Sequence, residues 1–276
     1  MRDTPVPLAE RRIFGFGGHE FGRRPEDEAL TDFALGLAGT PSPRICLLPT
    51  ASGDPTEQIA GFYRAMERRR AQPTHISLFR REGEPPLRDA LLSQDIIYVG
   101  GGSMMNLLAL WSAHGLDEIL REAWEFGIPV GGVSAGCMCW FQWGITRSTG
   151  APELRQGLGL IDGSACVHYH GDLDRRTQYL RLVGQGAPEG WALDDHAGVL
   201  FAGSEMSAAV AGRPDARVWR VHREDTQAVE STISRVVLRT AGSATELSDT
   251  DEYRLTVARR AGQRAPGGPL RGARVR

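Results

Sequence analysis

The chain is poor in cysteine: its 276 residues hold four, Cys46, Cys137, Cys139 and Cys166. None forms the paired C-x-x-C spacing of a zinc site, and their density is far below that of a disulfide scaffold, so they are expected to be reduced thiols in a reducing compartment. An excess of one charge is lacking too. The formal net charge of −2 gives none of the long-range pull on phosphates that nucleic-acid binding depends on. No apolar run approaches the roughly 20 residues that span a bilayer. The opening MRDTPVPLAERR carries charge and proline where an export signal needs an apolar stretch, so a cytoplasmic location is expected. What remains, 41% hydrophobic and 24% charged residues, is the mixture of an ordinary globular protein.

Continuous apolar runs at 12–17 (RIFGFG), 44–48 (RICLL), 95–99 (DIIYV) and 128–133 (IPVGGV) read as strands buried on both faces,. Helical spacing at 26–37, 55–70, 104–112 and 116–126 lies between them, and this alternation predicts an α/β fold with a parallel sheet between helical layers. The second half reads as short strands at 164–168, 191–194, 198–202, 207–210, 216–221 and 234–239, with one helix at 173–184 and turns at Gly203-Ser204 and Gly212 to Asp215,. These strands are expected to extend the sheet or to form a small antiparallel addition. One catalytic domain over 1–240 is expected, followed by a C-terminal extension over 241–276 whose last residues, 262–276 (GQRAPGGPLRGARVR), read as a mobile basic tail,.

The most informative segment is IPVGGVSAGCMCWF, in which a predicted strand runs into Gly132-Val133-Ser134-Ala135-Gly136 and then a helical pattern. That is a G-x-S-x-G elbow in strand-to-helix context. A strained turn that lifts a hydroxyl above a sheet brings backbone segments close together, which is why small residues flank the serine. The turn also puts Ser134 at a helix start, where the N–H of Ala135 and the helix dipole favour negative charge. A second strand, Tyr98-Val99, runs into Gly100-Gly101-Gly102-Ser103; its uncovered N–H groups can face the same crevice at the sheet's carboxyl edge.

Serine needs a base, and the base an orienting carboxylate. Of the seven histidines, His19, His75, His114 and His222 read as structural or surface residues. His168 and His170, at the end of a predicted strand, are the candidate bases, and as alternating strand residues they could share a side and bind a metal instead. No third ligand has suitable spacing, so no metal is expected, and the chemistry needs no cofactor. Asp194 and Asp195, after another short strand, supply the candidate acid. The histidine precedes the acid, the reverse of the order in common α/β-hydrolases. Cys137 and Cys139, just beyond the elbow, leave a thiol enzyme as an alternative; an esterase and an inactive binding protein are two others.

Taken together, Ile97-Tyr98-Val99-Gly100-Gly101-Gly102 with Asn106, Gly132-Val133-Ser134-Ala135-Gly136, Val167-His168-Tyr169, and Ile45-Cys46-Leu47-Leu48-Pro49-Thr50-Ala51-Ser52 resemble the peptidase E group of serine peptidases, which includes aspartyl dipeptidase and cyanophycinase. The likeness covers about residues 12–210. Ser103 stands where the group usually has asparagine, and Val167 where it often has proline. The resemblance implies a three-layer α/β/α fold with a mostly parallel central sheet, similar to class I glutamine amidotransferases. It implies a triad of Ser134, His168 and Asp195, with Asp194 next in line, and an oxyanion hole from the amides of Gly101 and Ala135. Asn106 and Arg176, or its neighbour Arg175, are the expected substrate contacts, an arginine there giving preference for an acidic N-terminal residue. The expected partner is a small peptide, not nucleic acid or membrane, and a homodimer is left open.

Overall fold

In this chain, strands that are apolar beyond their first residue sort their side chains alternately to two cores. A computed structural model describes residues 4–22 and 24–239. The strands are β1 (Arg12–Phe16), β2 (Arg44–Leu48), β3 (Gln72–His75), β4 (Ile96–Val99), β5 (Val130–Val133), β6 (Phe141–Thr146) and β7 (Glu153–Gln156). They continue as β8 (Ile161–Val167), β9 (Gly190–Leu193), β10 (Ala197–Ala202), β11 (Glu205–Ala211), β12 (Val218–Glu224), β13 (Gln227–Thr232) and β14 (Val236–Val237). The helices are α1 (Pro25–Gly36), α2 (Thr56–Glu67), α3 (Leu87–Leu92), α4 (Met104–His114), α5 (Leu116–Glu125), α6 (Ala135–Met138) and α7 (Leu173–Gly184).

The central sheet has the order β14-β11-β10-β1-β5-β4-β2-β3, with β1, β5, β4, β2 and β3 all parallel. Only β10 runs against the rest, since it is antiparallel to both β1 and β11. Phe14, Phe16, Ile45, Leu47, Ile96 and Tyr98 face one core with Leu30 and Phe33 of α1 and Phe62 and Met66 of α2. Their neighbours Ile13, Cys46, Leu48, Ile97 and Val99 face the other core, with Leu91 of α3, Leu107 of α4 and Leu120 of α5. Strands buried on both faces have no polar positions, which is what the runs in the sequence display. Helices on the two sides complete the α/β/α layers.

The second half goes further than the expected small addition. The strands β10, β11 and β14 extend the central sheet, while β13-β12-β9-β8-β6-β7 form a second, mixed sheet of their own. One face of that sheet joins the central core through Phe141, Ile161, Val167 and Val218; the other packs Cys166 and Val221 against Tyr179 and Val183 of α7. The expected helix after the elbow is the single turn α6, because the chain then turns into β6. The strand at 234–239 shrinks to two residues, and β3, α3, β6, β7 and β13 lie outside the elements read from the sequence. The C-terminal extension and its basic tail lie outside the described residues. Among the described residues no helix is long and apolar enough to cross a membrane.

Candidate active site

The site begins where β5 gives way to α6. Ser134, between them, has φ 56° and ψ −114°, a conformation that costs a non-glycine residue about 1–3 kcal/mol and needs its surroundings to hold it. Those surroundings are backbone. The Ser134 N–H donates to the carbonyl of Phe16 at 3.0 Å, and β4 passes so near that a Cβ on Gly132 or Gly136 would stand 2.0 or 2.3 Å from the Val99 carbonyl oxygen. The two glycines of the motif are therefore room for β4. Gly101 lies against the serine itself, its added Cβ falling 3.2 Å from that of Ser134. Ala135 is the first residue of α6, so its N–H has no acceptor within the helix.

The other groups come from the second sheet and its junction with the first. After β8 the chain enters His168 with φ 54°, and Asp172 caps α7 by accepting from the Arg175 N–H. This left-handed turn separates the two imidazoles expected to point together. His168 Nδ1 lies 2.5 Å from Asp195 Oδ1 and its Nε2 lies 2.9 Å from Ser134 Oγ. His170 Nδ1 instead meets Asp194 Oδ1 at 2.6 Å, while the other Asp194 oxygen accepts from the Arg217 N–H. The adjacent acids thus serve different histidines. Among the described residues no cluster of histidine, cysteine, aspartate or glutamate could hold a metal ion.

An ionised Asp195 can only accept, so His168 Nδ1 carries the proton and Nε2 is left to accept from the serine hydroxyl. The hydrogen bond from His168 holds the Asp195 carboxyl below its usual range against the opposing effect of burial, with the Arg213 guanidinium adding to it. The loop bearing Asp195 is pinned by Gly18, which pairs with Asp195 as an isolated bridge and accepts from the His196 N–H at 2.8 Å. A Cβ on Gly18 would stand 2.0 Å from Asp195 Oδ1 and 3.0 Å from His168 Cε1. Sequence reasoning passed over this residue, although the Gly17-Gly18 pair at the end of β1 is a visible sign of close approach.

His196 follows with φ 61° and bonds Asp27 Oδ1 at 2.9 Å. His19, expected to be structural, is buried and hydrogen-bonded, yet it also lines the site. The cavity over Ser134, about 460 Å³, is bordered by Gly18, His19, Gly101, His168 and Asp195.

Two expected substrate contacts lie elsewhere. The Arg176 guanidinium is held by both oxygens of Glu230, at 3.1 and 2.7 Å, and does not border the cavity; Arg175 pairs with Asp172. Asn106 is exposed in the first turn of α4, where its backbone N–H donates to Ser103 Oγ, also away from the cavity. Cys137 and Cys139 are fully buried, and burial pushes the Cys137 thiol up to about 12 and that of Cys139 well above its usual range. Neither is poised as a nucleophile.

The model of peptidase family S51 matches residues 13–209. An uncharacterized peptidase, YgaJ of Bacillus subtilis (strain 168), is 40% identical over 224 residues, 80% of this chain and 96% of its own length. Among solved structures, a peptidase from an acI-B1 Actinobacterium superposes with a TM-score of 0.61 at 17% identity, over 81% of this chain and 94% of that one. A putative peptidase E protein from Listeria monocytogenes EGD-e gives 0.52 at 19% identity, over 71% and 96%. These last two likenesses bear on the fold alone.

Proposed function

Because the chain belongs to peptidase family S51, the peptidase E family, and is a serine-type peptidase, we propose that it hydrolyses small peptides in the cytoplasm through Ser134, His168 and Asp195. The observation that carries this reading is the unbroken relay from Asp195 Oδ1 through His168 to Ser134 Oγ, with contacts of 2.5 and 2.9 Å. In the proposed reaction His168 Nε2 takes the hydroxyl proton as Ser134 Oγ attacks the peptide carbonyl carbon. The oxygen that gains charge lies toward the amides of Gly101 and Ala135, which would stabilise it without reorganising. As the tetrahedral intermediate collapses, the imidazolium returns its proton to the leaving amine and an acyl-enzyme remains. Water then attacks the ester with His168 as base, releasing the acid and restoring the serine. Asp195 keeps the imidazole in the tautomer that both steps use.

An acidic N-terminal preference loses its support, since the arginine expected to provide it is paired with Glu230. The test is a dipeptide panel together with a fluorophosphonate probe. The wild-type protein should label at Ser134 and cleave peptides, and Ser134→Ala should fold normally, fail to label and lose at least about 10³-fold in kcat. Near-native turnover in that variant would overturn the assignment of the nucleophile.

A further inference from the structure

A second cavity, about 670 Å³, adjoins the one over Ser134 and shares His19, Glu20, Gln58 and Val133 with it. It lies between α2 and the loop that follows β1. The direction of a substrate through the site follows from the proton's route. The leaving amine must stand on the side of His168, where Arg147 and Leu173 flank the imidazole. The acyl half then runs the other way, past Gly101 toward Gln58 and into the larger cavity.

The floor of that cavity is uncharged. Tyr98 and His19 are buried there, with Phe21 packed against both rings at 4.8 and 5.2 Å. His19 Nε2 lies 2.9 Å from the Asp27 carbonyl oxygen, so it carries the proton, and Nδ1 accepts from the Tyr98 hydroxyl at 3.0 Å. Burial lowers the His19 pKa to about 4, which leaves the ring neutral near pH 7 with its polar hydrogen engaged. Gln58, at the passage between the cavities, offers a neutral amide already paired with Ser52 Oγ. Charges stand only at the exposed rim and have both signs: Glu20, Glu57 and Glu67 beside Arg64 and Arg68, with Arg68 paired to Glu28 at 2.7 Å. A carboxylate or ammonium reaching the floor would lose its water and gain no opposite charge. The helical wall, by contrast, is cut away. Gly61 lies within α2, and a Cβ added there would meet only Arg64 Nη2, at 3.9 Å.

Resting on the peptidase reading of Ser134, we propose that this cavity receives the side chain on the acyl side of the scissile bond and selects bulky uncharged ones, aromatic or long aliphatic, with Gly61 giving it depth. The experiment compares kcat/KM for dipeptides that differ only in the N-terminal residue: Phe, Leu, Gly, Asp and Lys. The Phe and Leu members should exceed the Gly, Asp and Lys members by at least about tenfold. Gly61→Leu should lower kcat/KM for the Phe and Leu members by at least about tenfold more than for the Gly member, and Gly61→Ala should fall between. Fluorophosphonate labelling of each variant verifies that the serine machinery is intact. A wild-type preference for Asp, Lys or Gly, or an equal loss for every dipeptide in a Gly61→Leu protein that still labels, would overturn the inference and leave the peptidase reading standing. A wild-type protein that neither labels nor cleaves any dipeptide would overturn both.

Discussion

The two halves of the proposed triad sit in different kinds of structure. Ser134 belongs to the parallel core: its turn is shaped by β5, α6, the Val99 carbonyl of β4 and the Phe16 carbonyl of β1. His168 and Asp195 belong to the seam between the sheets, the first leaving β8 and the second lying between β9 and β10. The serine and the histidine are 34 positions apart, the histidine and the acid 27. Strain in the core half is contained by backbone packing around one short stretch of chain. In the seam half it is shared by two left-handed residues, His168 and His196, the second of them held by Gly18 and Asp27.

Removing the far end of the relay is the severest way to break this comparison. Asp195→Asn keeps the shape but cannot hold Nδ1 as a donor, so kcat should drop by about 10³–10⁴-fold in a protein with unchanged circular dichroism. A loss below tenfold would mean that another group orients His168. Next come two glycine substitutions that set the halves against each other. Gly18→Ala places a methyl 2.0 Å from Asp195 Oδ1 and should cost about 10²-fold in kcat by displacing the acid. Gly132→Ala meets the Val99 backbone at the same distance and should appear first as lost stability, about 1–3 kcal/mol in denaturant melts. Equal activity losses at equal stability would erase the distinction.

A smaller effect reads burial behind the seam. His19 has a folded pKa lowered to about 4, so between pH 6.5 and 4 the unfolded chain binds a proton that the native state refuses. Stability should therefore fall as pH drops through that window, by about 3 kcal/mol in total. Asp27 works oppositely: burial raises its folded pKa, so its contribution is present at low pH and lost as pH rises through that value. Comparing wild type with His19→Gln isolates the first slope, which should vanish in the variant's pH-dependent melts. Least of all, Arg176→Met should leave kcat/KM within about twofold and cost about 1 kcal/mol through Glu230. A large loss for peptides with acidic N-termini would return Arg176 to the substrate site.

The legible parts of this site share one property, that their meaning is local. A continuous apolar run predicted each of β1, β2, β4 and β5, because burial on both faces leaves no polar position, and the elbow announced itself through its glycines. Strands such as Gln72–His75 and Gln227–Thr232 are polar and short and gave no such signal; pairing with neighbours makes them strands. His168 and Asp195 were picked out by resemblance, and residue type alone left His170 and Asp194 as equals. Arg176 was misplaced because a charge on a helix face does not announce its partner.

By itself, then, the sequence determined the parallel core and the position of the strained serine, since both depend on patterns a few residues long. The tertiary structure decided which histidine meets which acid, why Gly18 can carry no side chain, and where the cavity runs beyond Gln58. Those outcomes depend on the backbone direction at a handful of left-handed residues and on the docking of two sheets, and no local pattern of side chains encodes either.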